Sequence, residues 1–221
     1  MKIVGLILAV VLAFSHSAEA KSPDSLISDA TMVLREIAAQ PDNAPLKYLL
    51  NNAYGVAIFP DVIRVGLGLG GRYGEGLLLR RDPDTNLWYG PYFLDIKGLS
   101  YGIQVGIQST SLVLVITNER GINNLRDGTV TLGGSLSVAA GPVGRSAEAG
   151  TDIELAASIY SYSMSRGIFA GMSLEGAVIS NNAGSNRLYW QAELTPEEIL
   201  SKQADTPEAV ALIEEILDII M

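Results

Sequence analysis

Few kinds of side chain in this sequence could do chemistry. There is no cysteine, and the one histidine is His16. His16 lies in a leading segment with the marks of a secretory signal. Lys2 supplies a positive start, Ile3 to Phe14 an apolar run, and Ala18-Glu19-Ala20 a small-residue cleavage site. The apolar run is about 12 residues, short of the roughly 20 that a spanning helix needs. Cleavage after Ala20 is therefore expected, leaving residues 21–221 as one domain. The exported chain then has neither His nor Cys, which removes Ser-His-Asp and Cys-His catalysis and His/Cys zinc sites. Without cysteine there is also no acyl anchor on a lipoprotein-type cysteine and no disulfide.

Carboxylates, Tyr, Ser/Thr, Lys and Arg remain. Asp152 and Glu154 stand two apart and would share a face of a strand, where they could ligate a hard cation. A solvated strand face explains them better, because no DxDxDG loop is present. Glu148 and Glu175 are isolated carboxylates, and spacing selects no hydrolase dyad from this set. Gly66-Leu67-Gly68-Leu69-Gly70-Gly71 matches GxGxxG literally. A dinucleotide site needs a helix directly afterwards, and Arg72-Tyr73-Gly74-Glu75-Gly76 is too rich in glycine for one. No cofactor, metal or catalytic residue is expected. Arg72, Arg145 and Arg166 each sit beside glycines, where backbone N–H groups and a guanidinium could together hold an anion. The competing reading is an ion pair with one of the many carboxylates. Tyr160, Tyr162, Met164 and Phe169 form an aromatic and soft apolar cluster that most simply reads as core.

The net charge is −9, and no basic run is present. That balance excludes the electrostatic footprint of a nucleic-acid binder and a polybasic membrane patch. An anionic partner would have to be met by a few placed arginines.

The elements that must position these groups fall into three blocks. Residues 23–52 read as a helical hairpin, with Leu26, Ile27, Ala30, Val33, Leu34 and Ile37 at helical spacing. From Tyr54 the period becomes that of strands. Short strands are expected at 55–60, 65–70, 77–81, 87–96, 100–108, 111–117, 130–140, 153–164, 168–180 and 187–191, with one or two helical turns over 119–125. Val65, Leu67 and Leu69 alternate with glycines, and such a strand implies sharp coiling or an element lying directly on it. Thr195-Pro196 and Thr206-Pro207 open C-terminal helices, the first with a capping box to Glu198. The last has a stripe of Ala209, Leu212, Ile213, Ile216, Leu217 and Ile220 that should pack on the sheet. The fold class expected is α+β: a strongly coiled antiparallel or barrel-like sheet, with an N-terminal helical hairpin and C-terminal helices on it.

Several motifs, in order, resemble the SYLF domain, also known as the Ysc84 actin-binding domain family. They are Gly55-Val56-Ala57-Ile58-Phe59-Pro60, Gly70-Gly71-Arg72-Tyr73-Gly74-Glu75-Gly76, Trp88 with Pro91, Gly102-Ile103-Gln104-Val105-Gly106 and Thr131-Leu132-Gly133-Gly134. Gly141-Pro142-Val143-Gly144-Arg145-Ser146-Ala147-Glu148-Ala149, Tyr160-Ser161-Tyr162-Ser163 and Gly167-Ile168-Phe169-Ala170-Gly171 follow. Where the family often has Thr-Asp, this chain has Thr110-Ser111. The resemblance implies a lipid-binding module rather than an enzyme. On that basis Arg72, Arg145 and Arg166 are expected at a phospholipid phosphate, with apolar groups near Tyr160, Tyr162 and Phe169 at the acyl or glycerol part. Bacterial relatives are usually exported, so a periplasmic or envelope location is expected and actin is not expected as a partner. An envelope module that meets a protein instead of a lipid is the alternative, and a carboxylate hydrolase a more distant one.

Overall fold

The computed structural model describes residues 21–41, 43–142, 157–165, 168–169 and 173–221, without the side chains of 67–69, 100–105 and 169. Two helices come first, α1 (Pro23–Ala38) and α2 (Ala44–Asn51). Ser22 caps α1 by accepting a hydrogen bond from the Ser25 N–H, and proline occupies the first turn of both helices. The apolar spacing expected of α1 is its buried face: Leu26, Ile27, Ala30, Val33, Leu34 and Ile37.

The next two elements are unusually long strands, β1 (Gly55–Arg81) and β2 (Trp88–Ile116). They pair antiparallel from Gly55↔Ile116 to Arg81↔Trp88 as one ribbon closed by the turn at 82–87. The sequence pattern predicts six separate strands here; the ladder instead continues through three register shifts, at Phe59/Val62, Leu67/Gly68 and Leu78/Arg80. A bulge bends a strand without ending it. It also admits Pro60, which could not sit in an unbroken central ladder. Residues 66–71, the GxGxxG match, lie inside β1 with no helix after them.

The ribbon is folded over on itself. A Cβ on Gly74 would stand 2.7 Å from the Asp61 carbonyl oxygen and 3.1 Å from the Val62 Cα. One on Gly55 would stand 2.7 Å from the Leu79 oxygen, and Gly76 lies directly against Ile58 and Phe59. The Arg81 N–H also donates to the Tyr54 carbonyl at 2.8 Å. The two ends of β1 are therefore in contact, and glycine is required because no side chain fits between them.

Each end of the ribbon recruits its own neighbours along β2. Residues 111–116 pair with β5 (Ile159–Ser165), which pairs in turn with β4 (Val138–Ala140) and β6 (Ile168–Phe169). Residues 94–97 pair with β7 (Val178–Asn181), which continues to β3 (Val130–Thr131). All pairs are antiparallel except β4–β5, which is parallel. The sheet is coiled, as expected, and the fold is α+β.

Two apolar clusters hold the layers together. One face of the sheet (Val56, Ile58, Leu77, Phe93, Val113, Val115) packs with α1, α2 and the C-terminal helix α6 (Pro207–Ile220). The other carries Phe59, Val62, Leu78, Leu94, Ile96 and Leu114. It is closed by α3 (Glu119–Arg126) through Ile122 and Leu125, and by the short α5 (Pro196–Ile199) with Leu200. The apolar stripe of α6 meets mainly α1 and α2, so this helix joins the helical layer rather than lying on the sheet alone.

Of residues 187–191, expected as a strand, 187–190 are helical and Gln191 is the C-cap: α4 spans Ala183–Trp190. Asn182 caps it by accepting from the Ser185 N–H. Asn186 is its one buried residue. Its side chain accepts from the Phe93 N–H at 2.8 Å and donates to the Phe93 carbonyl at 2.9 Å, extending the β2 edge as a strand would. In the ranges expected as single strands over 130–140 and 168–180, the described residues are strand only in short pieces at each end.

Candidate functional site

Arg72 lies near the middle of the ribbon, opposite Gly98. Its stem runs over Gly98, whose missing side chain leaves room for it. One terminal nitrogen donates to the Ser173 carbonyl and the other to the Leu99 carbonyl at 3.2 Å. Among the described residues no carboxylate reaches ion-pair distance, and the buried Nε has no acceptor. Burial, and secondarily the positive charge of Arg64, hold the guanidinium below its ordinary value. It is still protonated at any ordinary pH. The group is thus a half-buried cation whose bonds go to neutral carbonyls, an arrangement that leaves its charge for an anion.

The nearby carboxylates are engaged elsewhere. Asp61 accepts from Lys21 at 2.8 Å and from Ser109 at 3.0 Å, and the Lys21 bond is the first cause of its lowered pKa. Asp95 pairs with Lys97 at 3.2 Å and accepts from Asn182 at 2.9 Å. Glu75 accepts from the Tyr73 hydroxyl at 2.9 Å.

The other expected site residues are placed differently. Tyr160 and Tyr162 are buried in the cluster shared with the helices, and the Tyr162 hydroxyl donates to the Pro142 carbonyl at 3.3 Å. Burial raises the Tyr162 phenol well above its ordinary value, with a smaller contribution from Tyr160. These two rings are core. Phe169 is paired with Met164 through the backbone of β6. Arg145, Arg166, Glu148, Asp152 and Glu154 lie outside the described residues, so Arg72 is the one expected cation whose surroundings are visible.

At the far end of the molecule, beside the 82–87 turn, lies an open cleft of about 530 Å³. Arg80, Arg81 and Arg126 line it together with Asp84, Glu119 and Glu197. Arg80 donates to the Leu200 carbonyl at 2.7 Å and stacks on Tyr89 at 4.5 Å, and Arg81 donates to the Asn51 carbonyl. Charges of both signs alternate around this cleft, so it offers no field for an anion. Among the described residues no group of His, Cys, Asp and Glu is arranged to hold a metal, and no helix is long and apolar enough to cross a membrane.

Sequence reasoning about single motifs missed the surface of the ribbon around Arg72. Ile63, Val65, Tyr73, Leu99 and Ile107 are all exposed there. A signal was present: residues 62–73 and 97–111 contain Arg64, Arg72 and Lys97 and no carboxylate, so all 24 acidic residues of the chain lie elsewhere.

The architecture defines an α+β protein built on a folded-over β-ribbon, with its cation displayed on that ribbon rather than in a cleft. Residues 97–219 match the family described as "Ysc84: Las17-binding protein actin regulator". The chain belongs to this family. It is 33% identical over 205 residues to the human SH3 domain-containing YSC84-like protein 1, covering 89% of this chain and 59% of that protein. It is 35% identical over 174 residues to Protein YSC84 of Saccharomyces cerevisiae, covering 77% of this chain and 37% of that one. The chain therefore spans less than two thirds of these relatives' own length. The family is described by what it binds and not by a reaction. The same description gives no support for setting actin aside as a partner.

Proposed function

We propose that this chain is an exported, non-enzymatic protein of the cell envelope that binds phospholipid non-covalently, released from residues 1–20 by cleavage after Ala20. The observation that carries the reading is Arg72: a half-buried guanidinium bound to two neutral carbonyls, with no carboxylate at ion-pair distance among the described residues. In this reading Arg72 contacts the lipid phosphate, joined by Arg145 and Arg166. Because Tyr160 and Tyr162 are core, the apolar share of binding falls to Phe169 and to exposed apolar side chains near Arg72.

Flotation of residues 21–221 with vesicles tests this, comparing phosphatidylglycerol/phosphatidylethanolamine mixtures with phosphatidylcholine alone. Binding to the anionic vesicles is expected. Arg72→Gln should weaken it about fivefold, since one cation near an anionic surface is worth about 1 kcal/mol. Absence of binding to every composition would refute the reading. A second reading rests on the family description: a protein partner, with actin the first to try. Co-sedimentation with filamentous actin in the absence of vesicle binding would favour it.

A further inference from the structure

We infer that the middle of the β1–β2 ribbon is a membrane-docking arm that lies shallowly in the surface of an anionic bilayer. The inference rests on the phospholipid reading above and gives it a location. Between the segments of β2 that pair with β5 and β7, residues 98–110 have no strand partner other than β1 among the described residues. This stretch is thus a two-stranded arm, and its faces differ. Val62, Arg64, Arg72 and Gly74 occupy alternate positions of β1 and share one face. Ile63, Val65 and Tyr73 occupy the other, with Ile107 directly across from Val65 and Leu99 across from Gly71. Leu99 is 65% exposed and Ile107 62%, in a chain whose other large apolar side chains are mostly buried.

An apolar face of this kind needs a partner, and its charge selects one. Residues 62–72 and 98–110 of the arm carry two cations, Arg64 and Arg72, and no carboxylate, whereas the whole chain has net charge −9. An anionic surface would attract the arm and repel the remainder, which orients the molecule. Arg72 returns to the Leu99 carbonyl, so a guanidinium stands at the edge of the apolar face, at the height of a phosphate when Leu99 enters the acyl boundary. The depth is limited by the backbone. Among the described residues neither outer edge of the arm has a ladder partner for its N–H and C=O groups, which cannot be placed in hydrocarbon. Side chains therefore enter while the strands stay among the headgroups, as in interfacial helices that bury their apolar face by about 5–10 Å.

The lack of cysteine makes the test direct. Single variants Leu99→Cys and Ile107→Cys in residues 21–221 are labelled with an environment-sensitive fluorophore. Leu188→Cys, equally exposed on α4, serves as control. With phosphatidylglycerol/phosphatidylethanolamine vesicles, a blue shift is expected at 99 and 107 and none at 188. Leu99→Asp and Ile107→Asp should each lower vesicle affinity about tenfold or more, with circular dichroism unchanged because both positions are solvated. If the protein floats with vesicles while the labels at 99 and 107 do not respond, the arm is refuted and the phospholipid reading survives. If the labels respond to protein concentration without vesicles, the face joins two copies of the chain and the inference is overturned. If no vesicle retains the protein, both fail together.

Discussion

The folding-over of the ribbon makes a sharp prediction at two glycines three residues apart. Gly74→Ala puts a methyl group 2.7 Å from the Asp61 carbonyl oxygen and 3.1 Å from the Val62 Cα. Both neighbours are backbone, in the other end of the same strand, so no flexible side chain can swing away. Relief requires the two ends of β1 to part by several tenths of an ångström, and overpacking of that kind costs about 1–3 kcal/mol. Alanine's lower entropy in the unfolded chain returns about 0.5–1 kcal/mol, leaving a net loss of about 1–2 kcal/mol. Gly71→Ala has the same entropic gain without the clash, its nearest neighbour being the Gly98 oxygen at 4.0 Å. It should be neutral or stabilising by up to about 1 kcal/mol. In a chain of this size the first change lowers Tm by about 2–8 °C and the second raises it by about 0–4 °C. Thermal and urea unfolding of residues 21–221 measure both. A Gly74→Ala protein as stable as Gly71→Ala would refute the close approach of the two ends, and with it the folded ribbon.

Three further outcomes follow from particular contacts. Asn186→Ala leaves the buried Phe93 N–H without its acceptor, while the Phe93 C=O keeps the Asn182 N–H at 3.1 Å, and should cost about 1–3 kcal/mol in urea unfolding; a loss under about 0.5 kcal/mol would contradict the role of α4 as a surrogate strand. Thr195→Ala removes the Oγ1 that accepts from the Glu198 N–H, leaving the bond from the residue 195 N–H to the Glu198 carboxylate, and should cost about 1 kcal/mol, or about 2–4 °C in Tm. Burial pushes the Tyr92 phenol up to about 12, above an unfolded value near 10, so its contribution to stability is whole below about pH 10 and is lost as pH rises through about 12. The urea midpoint should fall across that window, and Tyr92→Phe, which removes a buried hydroxyl without a partner, should reduce the fall; equal falls in both proteins would refute it.

Where a signal was local, the sequence carried it. The stripe of α1 and the capping box at Thr195 are interactions within one turn or one face of a helix, and both stand as the spacing implies. A coiled sheet was expected from the glycines that alternate with Val65, Leu67 and Leu69, and the close approach that requires glycine falls instead at Gly55, Gly74 and Gly76. The continuity of β1 and β2 was not. Pro60-Asp61 and Gly70-Gly71 look like breaks, and only the partner strand decides whether such a place ends a ladder or bends it. Helix α4 was hidden for another reason: Asn186 anchors it through hydrogen bonds, so the apolar period that reveals a helix is missing and Arg187-Leu188-Tyr189-Trp190 reads as strand.

The same distinction governs the candidate site. Arg72 could be singled out from its glycine neighbours, but whether it was an ion pair depended on which carboxylates the fold delivers. Asp61, Glu75 and Asp95, the acids flanking the arm, are each engaged by Lys21, Tyr73 or Lys97. Their removal from competition is a tertiary fact, and it converts a cation that composition would assign to an ion pair into one facing neutral carbonyls. The apolar arm follows the same logic in reverse. Ile63, Val65, Leu99 and Ile107 alternate as core strands do, and nothing local marks them as exposed. What sets them apart is that, among the described residues, β2 finds a second neighbour on either side of the arm and none along it. A sheet that needed those residues only for stability would have covered them, as α1 covers Val56 and Ile58 on the same ribbon. Leaving them bare beside Arg64 and Arg72, in strand segments free of carboxylates, places exposed apolar surface and positive charge together, the combination that an anionic lipid surface requires.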